Sequence, residues 1–161
     1  MMITTILVPL DGSALAEAAL EPAIELARER RAKLLLVRAA EAHRLPMADP
    51  TEAQVAAVRD GEQYLAGVRD RILRASVADV DVSVWYGPPA EAIVEAAQYR
   101  KADLIVMSSH GRSGLGRLVL GSVAETVLRS TAVPILLIRP GAAPLDTPFG
   151  DAPVAKEVAR A

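Results

Sequence analysis

A glycine-rich loop between an apolar strand and a helix carries the residues best suited to binding an anion. The loop contains Gly111, Gly114 and Gly116, and Gly121-Ser122 then begin the helix. Glycines let backbone N–H groups approach a bulky ligand, and the first turn of a helix presents unpaired N–H groups with a partial positive charge. Two anion-binding features therefore lie close together in the chain, which is the arrangement of a phosphate-binding site.

The spacing of these glycines excludes two familiar phosphate-binding motifs. Gly111, Gly114 and Gly116 form G-x-x-G-x-G after the fourth predicted strand, whereas the dinucleotide fingerprint is G-x-G-x-x-G after a first strand. No G-x-x-x-x-G-K-S/T sequence occurs, so a Walker-type NTPase loop is excluded. A flexible connection is the alternative for any glycine-rich loop. The helix start at Gly121-Ser122 favours a ligand instead.

The elements that would position this loop alternate between strands and helices. Short apolar runs predict strands over Ile3 to Leu10, Lys33 to Ala39, Asp79 to Tyr86, Asp103 to Met107 and Val133 to Ile138. Amphipathic stretches predict helices after the N-cap Ser13, from Thr51 to about Ala75, from Ala90 to Arg100 and from Ser122 to Ser130. Pro22 should kink or restart the first helix. This order predicts a parallel α/β sheet covered on both faces, with ligands beyond the carboxyl ends of its strands.

The composition indicates one domain without cysteine or metal chemistry. At 161 residues, we expect a domain over residues 1–140 and a tail over 141–161, rich in proline and alanine, that is mobile or docked on a partner. The absence of cysteine excludes disulfides and thiol catalysis, and two histidines argue against a zinc site. A net charge of −2 without a block of like charge argues against a nucleic-acid surface. No apolar run approaches the ~18 residues of a membrane span and no secretion signal is recognisable, so we expect a cytoplasmic protein.

Four motifs in the right order resemble the universal stress protein family, over about residues 3 to 139. The family pattern is a glycine, two residues, a glycine, nine residues, then glycine with serine or threonine. Gly111 and Gly121-Ser122 match it, and Ser108 replaces its first glycine. The other motifs are the opening strand and turn and the fourth and fifth strands, at Ile6 to Ser13, Ala102 to Met107 and Val133 to Ile138. The resemblance implies a single-domain, open five-stranded parallel sheet in the order 3-2-1-4-5 and, in the glycine-motif branch, bound ATP.

The resemblance also implies which residues surround the adenosine part of the ligand. Pro9 and Asp11 end the first strand, and Asp11 would meet the ribose hydroxyls or a magnesium ion on the phosphates. The alternative for Asp11 is a turn residue that caps the first helix. Ala39 would offer backbone hydrogen bonds to the adenine edge, or it is an ordinary strand end. Met107 would pack on the adenine or ribose, or it belongs to the core.

A second set of residues would surround the phosphates. Gly111 and Gly121 would bring backbone amides to the phosphates, and Val123, two residues after Gly121, would also lie at this site. Ser122 would donate its hydroxyl and an amide, and it is also a natural N-cap. Arg112 would pair with a phosphate, or it is a solvated loop arginine. Ser108 adds a Cβ beside the ligand or takes a positive φ that serine disfavours, and we expect at worst weaker binding, not its loss.

Three functions are consistent with these residues. The favoured one is a nucleotide-binding protein with a regulatory or stress-response role and no fast chemistry. A slow ATPase would need a base, for which Asp11 and His110 are the candidates, and a solvated loop residue is the simpler interpretation of His110. The third is an interaction module whose glycine loop is vestigial. We therefore predict a protein that is not an enzyme.

The fifth strand bears on the oligomeric state. In the order 3-2-1-4-5 it is an edge, yet Ile135 to Ile138 is continuously apolar without a guarding lysine, and such an edge needs a cover. We expect a homodimer through Val133 to Ile138, with Leu145 and Phe149 of the tail as anchors.

Elsewhere, we expect Glu17 and Glu125 to face solvent, and we expect Trp85 and Tyr86 to pack in the protein.

Overall fold

Five short runs of mostly aliphatic residues form the strands of one parallel sheet. The computed structural model describes residues 2–41, 49–74, 79–109 and 120–139, and in this part of the chain the strand order is β3-β2-β1-β4-β5. The strands are β1 (Thr5–Pro9), β2 (Lys33–Ala40), β3 (Val80–Tyr86), β4 (Leu104–Ser108) and β5 (Ile135–Ile138). The predicted α/β class and strand order are therefore confirmed. Gly111, Arg112, His110 and the tail 141–161 lie outside the described residues.

Helices connect the strands in the predicted alternation. They are α1 (Ala14–Glu17), α2 (Leu20–Arg30), α3 (Pro50–Arg74), α4 (Pro89–Tyr99) and α5 (Ser122–Ser130). The first predicted helix is divided into α1 and α2, which is the restart expected from Pro22. This proline lies in the first turn of α2, where its missing N–H group removes no intrahelical hydrogen bond.

The two faces of the sheet carry separate hydrophobic clusters, because successive side chains of a strand point to opposite faces. On one face, Ile6 and Val8 pack with α1, α2 and α3. On the other face, Leu7 packs with α4 and α5. The central strands β1, β2 and β4 are almost entirely buried, so the sheet is a rigid base for whatever its carboxyl edge carries.

Two predictions of side-chain exposure are wrong, one for Glu17 and one for Tyr86. Glu17 does not face solvent freely: its Oε1 accepts a hydrogen bond from the Tyr64 hydroxyl at 2.8 Å and its Oε2 accepts one from Arg71 Nη2 at 2.8 Å, which ties α1 to α3. Tyr86 is 52% exposed and does not pack in the core. Trp85 does pack, with its ring centroid 5.8 Å from that of Tyr99. The error on Glu17 concerns partners that are distant in sequence.

Candidate functional site

The sheet opens between β1 and β4 at its carboxyl edge. Pairing of the two strands stops at Leu7 and Ile105, although β1 continues to Pro9 and β4 to Ser108. Strand order reverses at this point, because β1 connects through its helices to β2 on one side while β4 and β5 lie on the other. Open α/β sheets bind ligands in such a crevice.

A cavity of about 510 Å³ occupies this crevice. Its volume lies within the range of roughly 300–1,000 Å³ that small-molecule sites have. The structure brings together around it all the predicted site residues that it describes: Pro9, Asp11, Ala39, Met107, Ser108, Gly121, Ser122 and Val123. We call this cavity the cleft.

Asp11 lies at the rim of the cleft in a turn that begins α1. Its Oδ1 accepts hydrogen bonds from the backbone N–H and the hydroxyl of Ser13, at 2.9 and 2.6 Å. The Ser13 Oγ in turn accepts the N–H of Ala16 at 3.1 Å and caps α1. Asp11 therefore supports the turn, as the alternative for this residue predicts. The same bonds fix the position of its carboxylate at the cleft.

Ala39 directs its backbone polar groups toward the cleft. The N–H of Leu10 donates to the carbonyl of Val37 at 2.8 Å, so the polar groups of Val37 face β1. The N–H and C=O of one strand residue point to the same side, and the side alternates along the strand. Those of Ala39 therefore point the same way as those of Val37. Since β1 ends at Pro9, which is opposite Val37, they face the crevice beyond it.

Met107 and Ser108 form the wall of the cleft on β4. Met107 is 4% exposed and belongs to the hydrophobic cluster of α4 and α5, so it is both a core residue and a lining residue. Ser108 is 7% exposed and is paired with Ile138 as an ordinary strand residue. It is not among the described residues with positive φ. The expectation of a strained φ at Ser108 is therefore wrong.

The start of α5 presents unpaired amides to the cleft. Gly121 is the N-cap, with φ −60° and ψ 145°, and its carbonyl accepts the first intrahelical hydrogen bond, from the N–H of Glu125 at 2.9 Å. The amides of Ser122, Val123 and Ala124 therefore precede the first donor of the helix. The prediction that Ser122 is the N-cap is wrong, because it is the first helical residue.

Ser109 joins the start of α5 to the edge strand. Its N–H donates to the carbonyl of Ile138 at 2.8 Å, and its own carbonyl accepts the N–H of Gly121 at 2.8 Å. The chain therefore leaves β4 and returns to α5 at one point. This backbone bridge fixes the helix start relative to β4 and β5.

The comparisons with known proteins agree with this geometry. The model of the universal stress protein family matches residues 2–139. The chain belongs to the universal stress protein family. A universal stress protein of Thermus aquaticus is 36% identical over 140 residues, which cover 86% of this chain and all of the relative.

Solved universal stress proteins share the fold. That of Lactobacillus plantarum superposes with a TM-score of 0.74 at 26% identity, over 86% of this chain and 99% of its own. A universal stress protein in complex with cAMP superposes with a TM-score of 0.68 at 26% identity, over 86% of this chain and 98% of its own. The family resemblance inferred from the four motifs is confirmed.

In this universal stress protein, the cleft also has a wall that the sequence did not reveal. Ala57 and Asp60 of α3 line it. A helix of 25 residues is about 37 Å long, whereas seven strand residues span about 23 Å, so the first half of α3 extends past the strand ends. No local pattern in the sequence indicates which helix overhangs a crevice.

Two charged residues at and just after the end of β2 were also missed in the sequence. Arg38 and Glu41 line the cleft on either side of Ala39 and Ala40. A signal for Arg38 was available, because it is a charged residue within the otherwise apolar run 34–40. Among residues 2–41, 49–74, 79–109 and 120–139, no cluster of three or more histidine, cysteine or acidic side chains could hold a metal ion. No helix in those ranges is long and apolar enough to span a bilayer.

Proposed function

We propose that this protein binds an adenine nucleotide, ATP, in the cleft and has a regulatory role in a stress response. The observation that carries the proposal is the polarity of the cleft. At one end are the amides of Ser122 and Val123 at the start of α5, and at the other are the backbone donor and acceptor of Ala39. A helix start attracts phosphates, and a donor–acceptor pair suits a base edge. The related structure in complex with cAMP supports an adenine nucleotide as the ligand class.

The residues present fit this ligand. The three amides that precede Glu125 meet the phosphates, and the contacts of Gly111 and Arg112 stay predictions from the sequence. Asp11, fixed by Ser13, meets the ribose hydroxyls or a magnesium ion. When bound, magnesium would neutralise phosphate charge near Asp11. Ser108 accommodates the ligand as a strand residue, so its Cβ is the one cost that remains for the missing glycine.

We propose binding without fast catalysis, because the Oδ1 of Asp11, one of the two candidate bases, already accepts two hydrogen bonds. Hydrolysis needs a base placed to activate water. The expected cytoplasmic location stays a prediction.

A thermal shift with Mg-ATP tests the proposal. Ligand at ~100 times its Kd stabilises a protein by about 2.7 kcal/mol, which for a chain of this size raises Tm by roughly 5–10 °C. Gly121→Val should abolish the shift, because a branched side chain then stands at the phosphate approach. The matched control is Gly67→Val, since a Cβ at Gly67 on α3 meets no atom within 4 Å. Absence of any shift in the wild type at millimolar ATP contradicts the proposal.

We also propose that the protein is a homodimer through β5. Its Leu136 is 40% exposed, and Ile135, Leu137 and Ile138 are only partly buried in the single chain. An apolar edge strand that remains uncovered is a template for pairing with another chain. A purely monomeric mass at tens of micromolar protein, measured by light scattering, would contradict this.

A further inference from the structure

Arg38 is a charged side chain that the fold holds at the cleft. It lies near the end of β2, where its neighbours Ala39 and Ala40 also line the cavity. Its guanidinium carbon is 4.9 Å from the centroid of the Tyr64 ring on α3. Its stem passes Gly61 of α3, where a Cβ would lie 3.5 Å from the Arg38 Cδ. The stem of Arg38 therefore lies within van der Waals reach of α3 at Gly61.

Tyr64 is itself held in place, so it is a stable support for the guanidinium. Its hydroxyl donates to Glu17 Oε1 at 2.8 Å, and Arg71 Nη2 donates to the other oxygen of Glu17 at 2.8 Å. Burial, followed by the hydrogen bond to Glu17, raises the pKa of Tyr64 well above its usual range, so the ring stays neutral. A guanidinium held over a neutral ring that has a fixed position loses few rotamers when a ligand arrives.

The ion pairs of the described residues do not include Arg38. The acids that line the cleft with it are Asp11, Glu41 and Asp60. Among the described lining residues, Arg38 is the cation, and its guanidinium contacts an aromatic ring and not a carboxylate. It can therefore engage a ligand without first breaking a salt bridge.

We propose that Arg38 is a ligand-contacting residue that stacks against the purine base of the bound nucleotide. The inference rests on the proposed function, because it assigns the base to the Ala39 end of the cleft. Guanidinium planes stack on nucleic-acid bases, and Tyr64 supports the plane from the other side. The strength of stacking increases with the area of the aromatic base, so Arg38 makes the cleft bind purine nucleotides more tightly than pyrimidine nucleotides.

The test measures Kd by calorimetry for ATP, AMP and UTP. Base stacking is worth roughly 1–3 kcal/mol, so Arg38→Met should weaken ATP and AMP by the same factor, about 5- to 150-fold, and should reduce the preference for ATP over UTP. Arg38→Lys keeps the charge but lacks the plane, so it should lose most of the same affinity. The matched control, Arg59→Met, removes an exposed arginine of α3 that does not line the cleft, and its Kd values should equal those of the wild type.

Three results would overturn the inference. Unchanged Kd values in Arg38→Met would exclude a contact, and a larger loss for ATP than for AMP would make Arg38 a phosphate ligand. Full affinity in Arg38→Lys would show that charge and not stacking matters, and this variant also serves if Arg38→Met fails to fold. If the wild type binds no adenine nucleotide, the proposed function fails together with the inference, whereas failure of the variants alone leaves the proposed function intact.

Discussion

The two edges of the sheet are built differently. At the β3 edge, the outward-facing N–H of Val82 donates to Oδ1 of Asp81 at 2.9 Å, so a carboxylate already occupies it. The same carboxylate is paired with Arg100 and with Lys33, whose Nζ is 3.3 Å away. The β5 edge consists of Ile135–Ile138 and carries no charged side chain.

The direction of the Val82 amide follows from the backbone hydrogen bonds between β3 and β2. Leu34 N–H donates to Asp79, and Gly87 N–H donates to Ala40, so the backbone groups of odd-numbered residues of β3 face β2. Those of Val82 therefore face away from the sheet. Charges on an edge strand prevent pairing with another chain. Asp81 thus occupies one outward-facing donor of β3 and adds a charge to that edge, whereas Ile135–Ile138 of β5 have no such residue.

Adding a charge to β5 should have the largest effect of the changes that test this difference between the edges, and the effect should be on the oligomeric state. In a two-fold symmetric interface each substitution occurs twice, so Leu136→Lys would place like charges near each other at a cost of several kcal/mol. We expect the dimer to dissociate at tens of micromolar, as measured by light scattering. Tyr86→Lys at the exposed end of β3 is the control and should leave the mass unchanged. Equal dissociation in both variants would place the interface elsewhere.

Removing the charge from β3 should have a smaller effect. Asp81→Ala deletes the acceptor of the Val82 N–H and the partner of Arg100 and Lys33. These groups are partly exposed, so we expect a loss of about 1 kcal/mol in the free energy of unfolding, measured with urea. The variant should also aggregate more readily, since β3 then has an open edge. Stability and solubility equal to the wild type would show that Asp81 does not protect the edge.

The dependence of stability on pH is an independent test of the role of Asp81. Burial alone would raise the pKa of its carboxyl, but hydrogen bonds from Arg100, Val82 and Lys33 outweigh burial and lower it below the ordinary 3.8. Because the pKa is lower in the folded state than in the unfolded state, the ionised carboxylate stabilises the fold above about pH 4. This stabilisation is lost as the pH falls through the folded-state pKa. Asp81→Asn should therefore flatten the stability profile in that window.

The smallest expected effect comes from a change that touches neither edge. Lys101, after α4, has φ 51°, a left-handed conformation that glycine adopts more readily. Lys101→Gly should raise the free energy of unfolding by up to ~1 kcal/mol, measured by urea denaturation, and should leave the mass in light scattering unchanged. A loss of stability would mean that the lysine side chain makes a contribution greater than the backbone strain.

The sequence was sufficient for the fold because its signals are local. Apolar runs define β1 to β5, and Pro22 marks the restart between α1 and α2. The strand order and the cleft residues on strand ends came from the resemblance to the family and not from these local signals. Glu17 and Arg38 could not be understood this way, because each depends on Tyr64, and Glu17 and Tyr64 are 47 residues apart in the chain. The N-cap of α5 was misplaced by one residue, since the backbone of Ser109, and not a side chain, fixes Gly121.

The backbone of Ser109 has a consequence for communication between subunits. It is bonded on one side to Ile138 of the edge strand and on the other to Gly121 at the helix start. Two hydrogen bonds therefore connect β5 to the start of α5, whose amides face the cleft. If both a partner subunit and a nucleotide bind as proposed, each changes the affinity for the other by the same factor, because such coupling is reciprocal. The oligomeric equilibrium would then respond to the nucleotide concentration.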